Sequence, residues 1–205
     1  MLIIAVAGST GRTGRLIVEP ALRRDLVVRG LYRPKSENPP LPANVTWVRG
    51  SIDDEHAMRS LVAGADITIS AVGPSPQRTS DTCSTATRNL IAAGCTNLIV
   101  VSGMGLTLPY DRKGLGDKIA AAVVRRLSPE VYADKVRELE LLQTSDIAWT
   151  VVRVGALMDG DEVRPVKVNL LRLPGFAINV GSLAAFCVDE AETRRYPRAA
   201  PFVAN

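Results

Sequence analysis

Ile3-Ile4-Ala5-Val6-Ala7 runs directly into Gly8-Ser9-Thr10-Gly11-Arg12-Thr13-Gly14 near the N-terminus, and this segment is the most informative about the fold. The apolar run is typical of a buried strand, and the amphipathic residues 15–18 indicate that a helix follows. Glycines at every third position between a strand and a helix are typical of a dinucleotide-binding βαβ unit, because they allow a tight turn, close approach to a pyrophosphate and close helix packing. We therefore expect amide groups at the helix N-terminus to bind phosphates.

The spacing of these glycines is GxxGxxG, whereas the commonest dinucleotide fingerprint is GxGxxG. Short glycine patterns recur by chance, so a purely structural turn is the alternative interpretation. The position of the loop, after a strand and before a helix in the first βα turn, favours nucleotide binding.

Apolar runs alternate with helical runs along most of the chain. Near-continuous apolar strands separated by helices predict a parallel sheet that is covered on both faces. We therefore expect an α/β fold with one doubly wound parallel sheet of about six to seven strands and helices on both faces. The expected later strands are 26–32, 45–48, 67–72, 98–102 and 149–154, and the expected later helices are 53–62, 81–93, 117–127 and 130–144.

The remaining segments are less regular. Residues 163–171 are expected to contain a strand, residues 182–188 to form a helix capped by Ser182, and residues 200–204 to form a closing edge strand. Pro20 either ends or kinks the first helix. The long loop 103–116 leaves the carboxyl end of a strand, where open α/β sheets bind ligands. A proline-rich loop, with Pro34, Pro39, Pro40 and Pro42, follows the second strand.

Composition limits the function classes. With 205 residues, 46% hydrophobic and 22% charged, the chain predicts one globular domain. The three cysteines are widely spaced and His56 is the only histidine, so we expect a reducing cytoplasm and no metal site. The first strand begins at Leu2 and no run approaches ~20 apolar residues, which predicts no export signal and no membrane partner.

The net charge is +4, but the arginines are scattered and aromatic residues make up only 4% of the chain. A stacking platform for nucleic acid needs more aromatic side chains, so we expect no nucleic-acid partner. A modest positive charge suits an anionic cofactor equally well.

Arg33 stands where a unit that binds NAD carries an acidic residue for the ribose 2′-hydroxyl. A guanidinium cannot accept that hydrogen bond, but it matches a 2′-phosphate, and Arg12 could reach the same phosphate. The sequence therefore favours NADP(H) over NAD(H). An ordinary exposed role for Arg33 is the alternative.

Seven segments carry a resemblance to a known family: AGSTGRTG at 7–14, YR at 32–33, RGSI at 49–52, AVG at 71–73, VVS at 100–102, YADK at 132–135 and WTVVR at 149–153. Through them the chain resembles the atypical short-chain dehydrogenase/reductases, and among these the compact NmrA-like NAD(P)-binding oxidoreductases, a group that includes flavin reductases of the biliverdin reductase B type. The resemblance spans essentially the whole chain. It implies a single Rossmann-like NAD(P)-binding domain over residues 1–205, with about residues 155–205 on the substrate side.

The resemblance also implies site residues. The glycine loop would hold the pyrophosphate, Ser51 and Ile52 would flank the adenine, and Val72 and Gly73 would line the ribose. Ser102 and Lys135 would lie near the nicotinamide, and Val154, Gly155 and Ala156 would close its pocket. The family usually has Asp where Ser51 stands and Pro where Val154 stands. The implied cofactor-binding residues are Gly8, Ser9, Thr10, Gly11, Arg12, Thr13, Gly14, Arg33, Ser51, Ile52, Val72, Gly73, Val101, Ser102, Lys135, Val154, Gly155 and Ala156.

Ser102, Lys135 and Tyr132 are the candidate catalytic residues. Superfamily members that reduce ketones use a serine and a Tyr-x-x-x-Lys pair, in which the phenol donates a proton. Here Tyr132 and Lys135 are three residues apart instead of four, which turns the tyrosine by about 100° on a helix. A packing role for Tyr132 and an exposed role for Lys135 are the alternatives.

The function favoured by the sequence is an NADPH-dependent oxidoreductase that transfers hydride to a conjugated small molecule such as a flavin, a quinone or a tetrapyrrole. The first alternative is an NADP(H)-binding redox sensor of the NmrA-like kind. The second is a ketone reductase or epimerase of a biosynthetic pathway. We expect a small-molecule substrate and either a monomer or a homodimer.

Overall fold

Strands and helices alternate through the part of the chain that the computed structural model describes, residues 1–34, 42–74 and 80–205. Pro39 and Pro40 of the expected proline-rich loop lie outside these residues. The strands are β1 Ile3–Ala7, β2 Val27–Tyr32, β3 Thr46–Arg49, β4 Ile67–Ser70, β5 Asn97–Gly103, β6 Ala148–Val154, β7 Ala156–Met158, β8 Lys167–Asn169, β9 Ala177–Asn179 and β10 Phe202–Ala204. The helices are α1 Gly14–Arg23, α2 Glu55–Val62, α3 Thr82–Ala92, α4 Leu115–Leu127, α5 Pro129–Thr144 and α6 Val180–Thr193.

Eight strands form the central sheet in the order β3-β2-β1-β4-β5-β6-β10-β8. Every neighbouring pair is parallel except β10 and β8, which are antiparallel. The order runs outward from β1 in one direction through β2 and β3, and from β4 in the other, so the topology switches between β1 and β4. The expected α/β fold class is confirmed, and the sheet is one strand larger than the upper expectation.

Helices cover both faces of this sheet with separate apolar clusters. On one face the side chains of α1 and α6 pack against β1, β4 and β6. On the other, α2, α3 and α5 pack against β1, β5 and β6. Because both faces of the strands are buried, the site described below can only lie along the ends of the strands.

The C-terminal region corrects three expectations. β10 lies between β6 and β8, so residues 200–204 do not form an edge strand. The strand expected within 163–171 is limited to Lys167–Asn169. The last helix begins at Val180 and is capped by Asn179, whose side chain accepts from the Ser182 amide at 2.9 Å. Ser182 instead accepts from the Arg164 amide at 2.9 Å.

Pro20 lies inside α1 without ending it, since the helix continues to Arg23. A proline removes one amide donor from a helix, but the apolar face of α1 is held on the sheet by Ile17, Val18 and Ala21. Tertiary packing therefore outweighs the local cost of the proline.

Candidate functional site

The glycine loop between β1 and α1 folds back on itself tightly. Gly8 has a φ of +77°, and a Cβ on it would lie 3.0 Å from the carbonyl group of Ala71. A Cβ on Gly14 would lie 2.7 Å from the carbonyl carbon of Gly8 and closer still to its oxygen. Both positions therefore require glycine, the first for its backbone conformation and the second for the approach of α1 to the loop.

Several amide groups of this loop donate to no carbonyl or side chain within the described residues, among them those of Thr10, Arg12, Thr13 and Gly14. The amide of Gly11 is satisfied by the carbonyl of Gly8 at 2.9 Å. Unpaired amides at the N-terminus of a helix carry partial positive charge and bind anions. The loop thus fits a diphosphate.

Ser9 is buried and has a structural bond. Its hydroxyl donates to the carbonyl oxygen of Leu31 in β2 at 2.6 Å. This bond fixes the loop against the second strand, and it engages the side chain that the sequence placed near the pyrophosphate.

The side chain of Arg12 points across the sheet end toward β7. Its guanidinium forms an ion pair with Asp159 at 2.7 Å and donates to the carbonyl oxygen of Leu157 at 3.1 Å. Arg12 is therefore engaged with the substrate side. The expectation that it shares a 2′-phosphate with Arg33 stays a prediction.

Arg33 follows β2 directly and is exposed at the carboxyl end of the sheet, where the glycine loop also lies. Ser51 and Ile52 follow β3, the next strand outward. The carbonyl oxygen of Ile52 accepts from the Asn89 side chain at 2.7 Å, an α3 residue that the sequence did not single out.

Val72 and Gly73 follow β4, on the other side of the switch point. The Ala71 amide donates to the carbonyl oxygen of Ala7 at 3.0 Å, so this segment continues beside the glycine loop. A Cβ on Gly73 would meet no atom within 4 Å, which leaves open space at the expected ribose position.

Ser102 lies at the carboxyl end of β5, is 4% exposed, and its hydroxyl has no hydrogen-bond partner in the described part of the protein. Leaving a buried hydroxyl unpaired costs about 1 to 3 kcal/mol. Such a group is typical of a site that is completed by a ligand. The expected role of Ser102 beside the substrate remains a prediction.

Lys135 lies on α5 and is held by two acceptors. Its ammonium group donates to the carbonyl oxygen of Val101 at 2.8 Å and to the Glu138 carboxylate at 2.8 Å. Glu138 also accepts from the Thr87 hydroxyl at 3.2 Å. Burial lowers the pKa of Lys135, but Glu138 and Cys83 together raise it by more, so the pKa lies above its ordinary value and the group stays charged.

Tyr132 precedes Lys135 by one turn of α5 and is half-buried. Its ring lies 5.7 Å from the Arg125 guanidinium, and a Cβ on Gly105 would lie 3.7 Å from the ring. Its proton-donating role stays a prediction.

The end of β6 makes a second close backbone contact. The Ala156 amide donates to the carbonyl oxygen of Phe176 at 2.9 Å, and a Cβ on Gly155 would overlap that oxygen. Phe176 itself is 71% exposed, and its backbone carbonyl lies at this expected nicotinamide position. The sequence offered no signal for Phe176, because it lies in an irregular segment.

The loop after β5 is anchored by buried charges that the sequence did not reveal. Arg153 donates to both carboxylate oxygens of Asp111, at 2.7 and 2.9 Å. Lys113 donates to the carbonyl oxygens of Met104 and Leu106, at 2.7 and 2.9 Å. Burial lowers the pKa of Lys113 to about 8. The sequence signal for this anchoring was Arg153, a charged residue in the otherwise apolar run of β6.

No helix in the described part of the chain has both the length and the apolar character needed to cross a bilayer. Within the same residues, no group of three or more His, Cys, Asp or Glu side chains is placed to hold a metal ion.

Comparison with known proteins gives a family match. A family model described as NAD(P)H-binding matches residues 8–194. A search of the curated proteins found no match.

Solved structures share the fold over the whole chain. A short-chain dehydrogenase/reductase from Veillonella parvula in complex with NADP is 15% identical, with a TM-score of 0.80, and covers 100% of this chain and 94% of its own. A proposed NADH-flavin reductase from Streptococcus pneumoniae is 19% identical, with a TM-score of 0.80 and 100% coverage of both chains. A protein from Burkholderia pseudomallei, described as a proposed exported protein, is 24% identical, with a TM-score of 0.79 and 100% coverage of both chains.

Proposed function

The chain belongs to the NAD(P)H-binding family, and on that premise we propose that it is an NADPH-dependent oxidoreductase. Its acceptor is a conjugated small molecule of the flavin, quinone or tetrapyrrole type. The bound cofactor supplies the hydride, and the protein positions it, orients the acceptor and excludes water.

The observation that carries the proposal is the set of unpaired amides in the glycine loop. They lie at the switch point of the sheet, where open α/β folds bind ligands beyond the carboxyl ends of the strands. Thr10, Arg12, Thr13 and Gly14 would hold the diphosphate through these amides. Arg33 would bind the 2′-phosphate, which supports NADPH over NADH.

The acceptor class is supported by exposed apolar side chains at the end of β6 and on the adjoining loops. Phe176 lies beside Gly155, and Tyr110 is 46% exposed on the anchored loop. Aromatic rings offer flat surfaces on which a conjugated molecule can stack. A flavin or quinone can take its proton from solvent after hydride transfer, so such a reaction needs only an orienting group such as the Ser102 hydroxyl.

The strongest alternative is an NADP(H)-binding redox sensor. It is favoured by the engagement of Lys135 with Val101 and Glu138, which leaves fewer of its protons for a substrate. A ketone reductase or epimerase needs a positioned proton donor. The Tyr132 ring lies 5.7 Å from the Arg125 guanidinium, which favours a packing role for this tyrosine over a proton-donating one.

Steady-state oxidation of NADPH with a panel of flavins, quinones and carbonyl compounds tests the proposal. We expect flavins or quinones to accelerate oxidation, and Ser102→Ala to lower kcat/KM by about tenfold or more. Thr193→Ala, which removes an exposed hydroxyl at the end of α6, is the matched control. Tight binding of NADPH without acceleration by any acceptor would reject the enzyme and support the sensor.

A further inference from the structure

Arg49 is the last residue of β3, and its position brings it next to Arg33. β2 and β3 are parallel, and Tyr32 at the end of β2 pairs with Arg49. The Gly50 amide donates to the carbonyl oxygen of Tyr32 at 2.9 Å, which keeps the two strand ends together. Arg33 follows Tyr32 directly, so the carboxyl ends of the neighbouring strands β2 and β3 carry one arginine each.

The side chain of Arg49 lies on the face of the sheet that carries the glycine loop. Side chains two residues apart in a strand share a face, so Arg49 and Trp47 lie on the same side. The rings of Trp47 and Tyr32 meet edge to face, with their centroids 6.0 Å apart. A Cβ on Gly30 would overlap the Trp47 ring and lie 3.1 Å from the Ser9 hydroxyl oxygen, so this face adjoins the loop.

The charge of Arg49 is available at this edge. Its side chain is exposed, and within the described residues it forms neither a hydrogen bond nor an ion pair. The other candidate, Arg12, is held by Asp159 and Leu157. Arg29, one strand inward, donates to the carbonyl oxygens of Ser60 and Leu61.

We infer that Arg49 is the second cation for the 2′-phosphate of NADPH and, with Arg33, sets the preference over NADH. A phosphate monoester carries nearly two negative charges at neutral pH, which one guanidinium does not balance. Two guanidinium groups from adjacent strand ends match that charge and supply a fork of donors. This inference rests on the proposed function, because it assumes that the adenosine end of the cofactor lies beyond β2 and β3.

Calorimetric titration of wild type, Arg49→Gln and Arg49→Lys with NADPH and with NADH at fixed ionic strength tests the inference. We expect Arg49→Gln to weaken the affinity for NADPH by about tenfold or more and the affinity for NADH by less than about twofold. Arg49→Lys is expected to retain part of the preference, because it keeps the charge but loses the fork. Arg126→Gln, which removes an exposed charge from α4, is the matched control and should change neither affinity.

The outcomes separate the inference from the proposed function. Equal weakening of NADPH and NADH by Arg49→Gln, or no change in either, overturns the inference and leaves the proposed function standing. If folded wild-type protein binds neither nucleotide, the proposed function fails and the inference fails with it. Far-ultraviolet circular dichroism of each variant shows that a lost affinity does not reflect an unfolded chain.

Discussion

At the scale of single residues, Lys135 and Glu138 form a buried ion pair next to the expected nicotinamide position. The Lys135 side chain is 12% exposed and that of Glu138 is 3% exposed. Removing one partner of a buried pair leaves the other charge without compensation, which destabilises a protein more than the loss of an exposed pair does.

We expect Glu138→Gln to lower the free energy of unfolding by about 3 kcal/mol at pH 7. Glu140→Gln, on the exposed side of the same helix, should change it by less than about 0.5 kcal/mol. Urea unfolding monitored by circular dichroism measures both values. Similar stabilities for the two variants would show that the pair contributes little.

The same pair predicts a dependence on pH. The folded-state pKa of Lys135 is raised, so its stabilising contribution is fully present below the unfolded-state pKa of about 10.4 and is lost as the pH rises through the folded value. In Glu138→Gln the buried Lys135 loses its counter-charge, which destabilises the folded state. Raising the pH deprotonates this lysine and removes that destabilisation. The difference in stability between wild type and variant should therefore narrow between pH 7 and 11.

The residues that sequence could predict are those whose type is required by the backbone. Gly8 and Gly14 have that property, since a side chain at either position meets neighbouring backbone. Glu138 could not be predicted, because its role depends on the packing of α5 against Thr87 and Val101. The ion pair of Arg12 with Asp159 could not be predicted either, because it joins segments that are distant in sequence.

At the scale of elements, the loop between β5 and α4 is anchored to the core. Arg153 of β6 is fully buried, and its guanidinium lies 3.6 Å from the centre of the Phe202 ring in β10. Its bidentate bond to Asp111 ties the loop to two strands of the sheet. The length of this loop predicts a substrate-binding segment. The buried charges of Arg153 and Asp111 hold that segment in one position.

We expect Asp111→Asn to destabilise the protein by about 3 to 5 kcal/mol, because it leaves the Arg153 charge buried and unpaired. Asp161→Asn, an exposed position, should be nearly neutral. Chemical unfolding gives both values, and hydrogen exchange should show faster exchange in residues 104–114 of Asp111→Asn. Unchanged exchange in that loop would contradict the anchoring role.

The central strands and the larger helices could be predicted because their apolar patterns are long. The three short strands β7, β8 and β9 carry only three residues each, and their pairing depends on distant partners. For β10 the apolar pattern predicted a strand, but its interior position follows from β8 pairing on its far side.

At the scale of the whole molecule, the strand order brings together residues that are far apart in sequence. The carboxyl ends of β1, β4, β5 and β6 lie along one edge, and they carry the glycine loop, Val72, Ser102 and Val154. Sequence predicted these residues one by one, mostly through family resemblance. Their common edge is a property of the parallel register, which only the structure supplies.

The most direct test of the central claim is a calorimetric titration of NADPH and NADH into wild type, Gly14→Ala and Gly116→Ala. A Cβ at Gly14 overlaps the loop backbone, whereas one at Gly116 in α4 meets nothing within 4 Å. We predict saturable binding to wild type and Gly116→Ala, and an affinity for Gly14→Ala that is weaker by about tenfold or more. Absence of binding to folded wild type, or unchanged affinity in Gly14→Ala, would contradict the account.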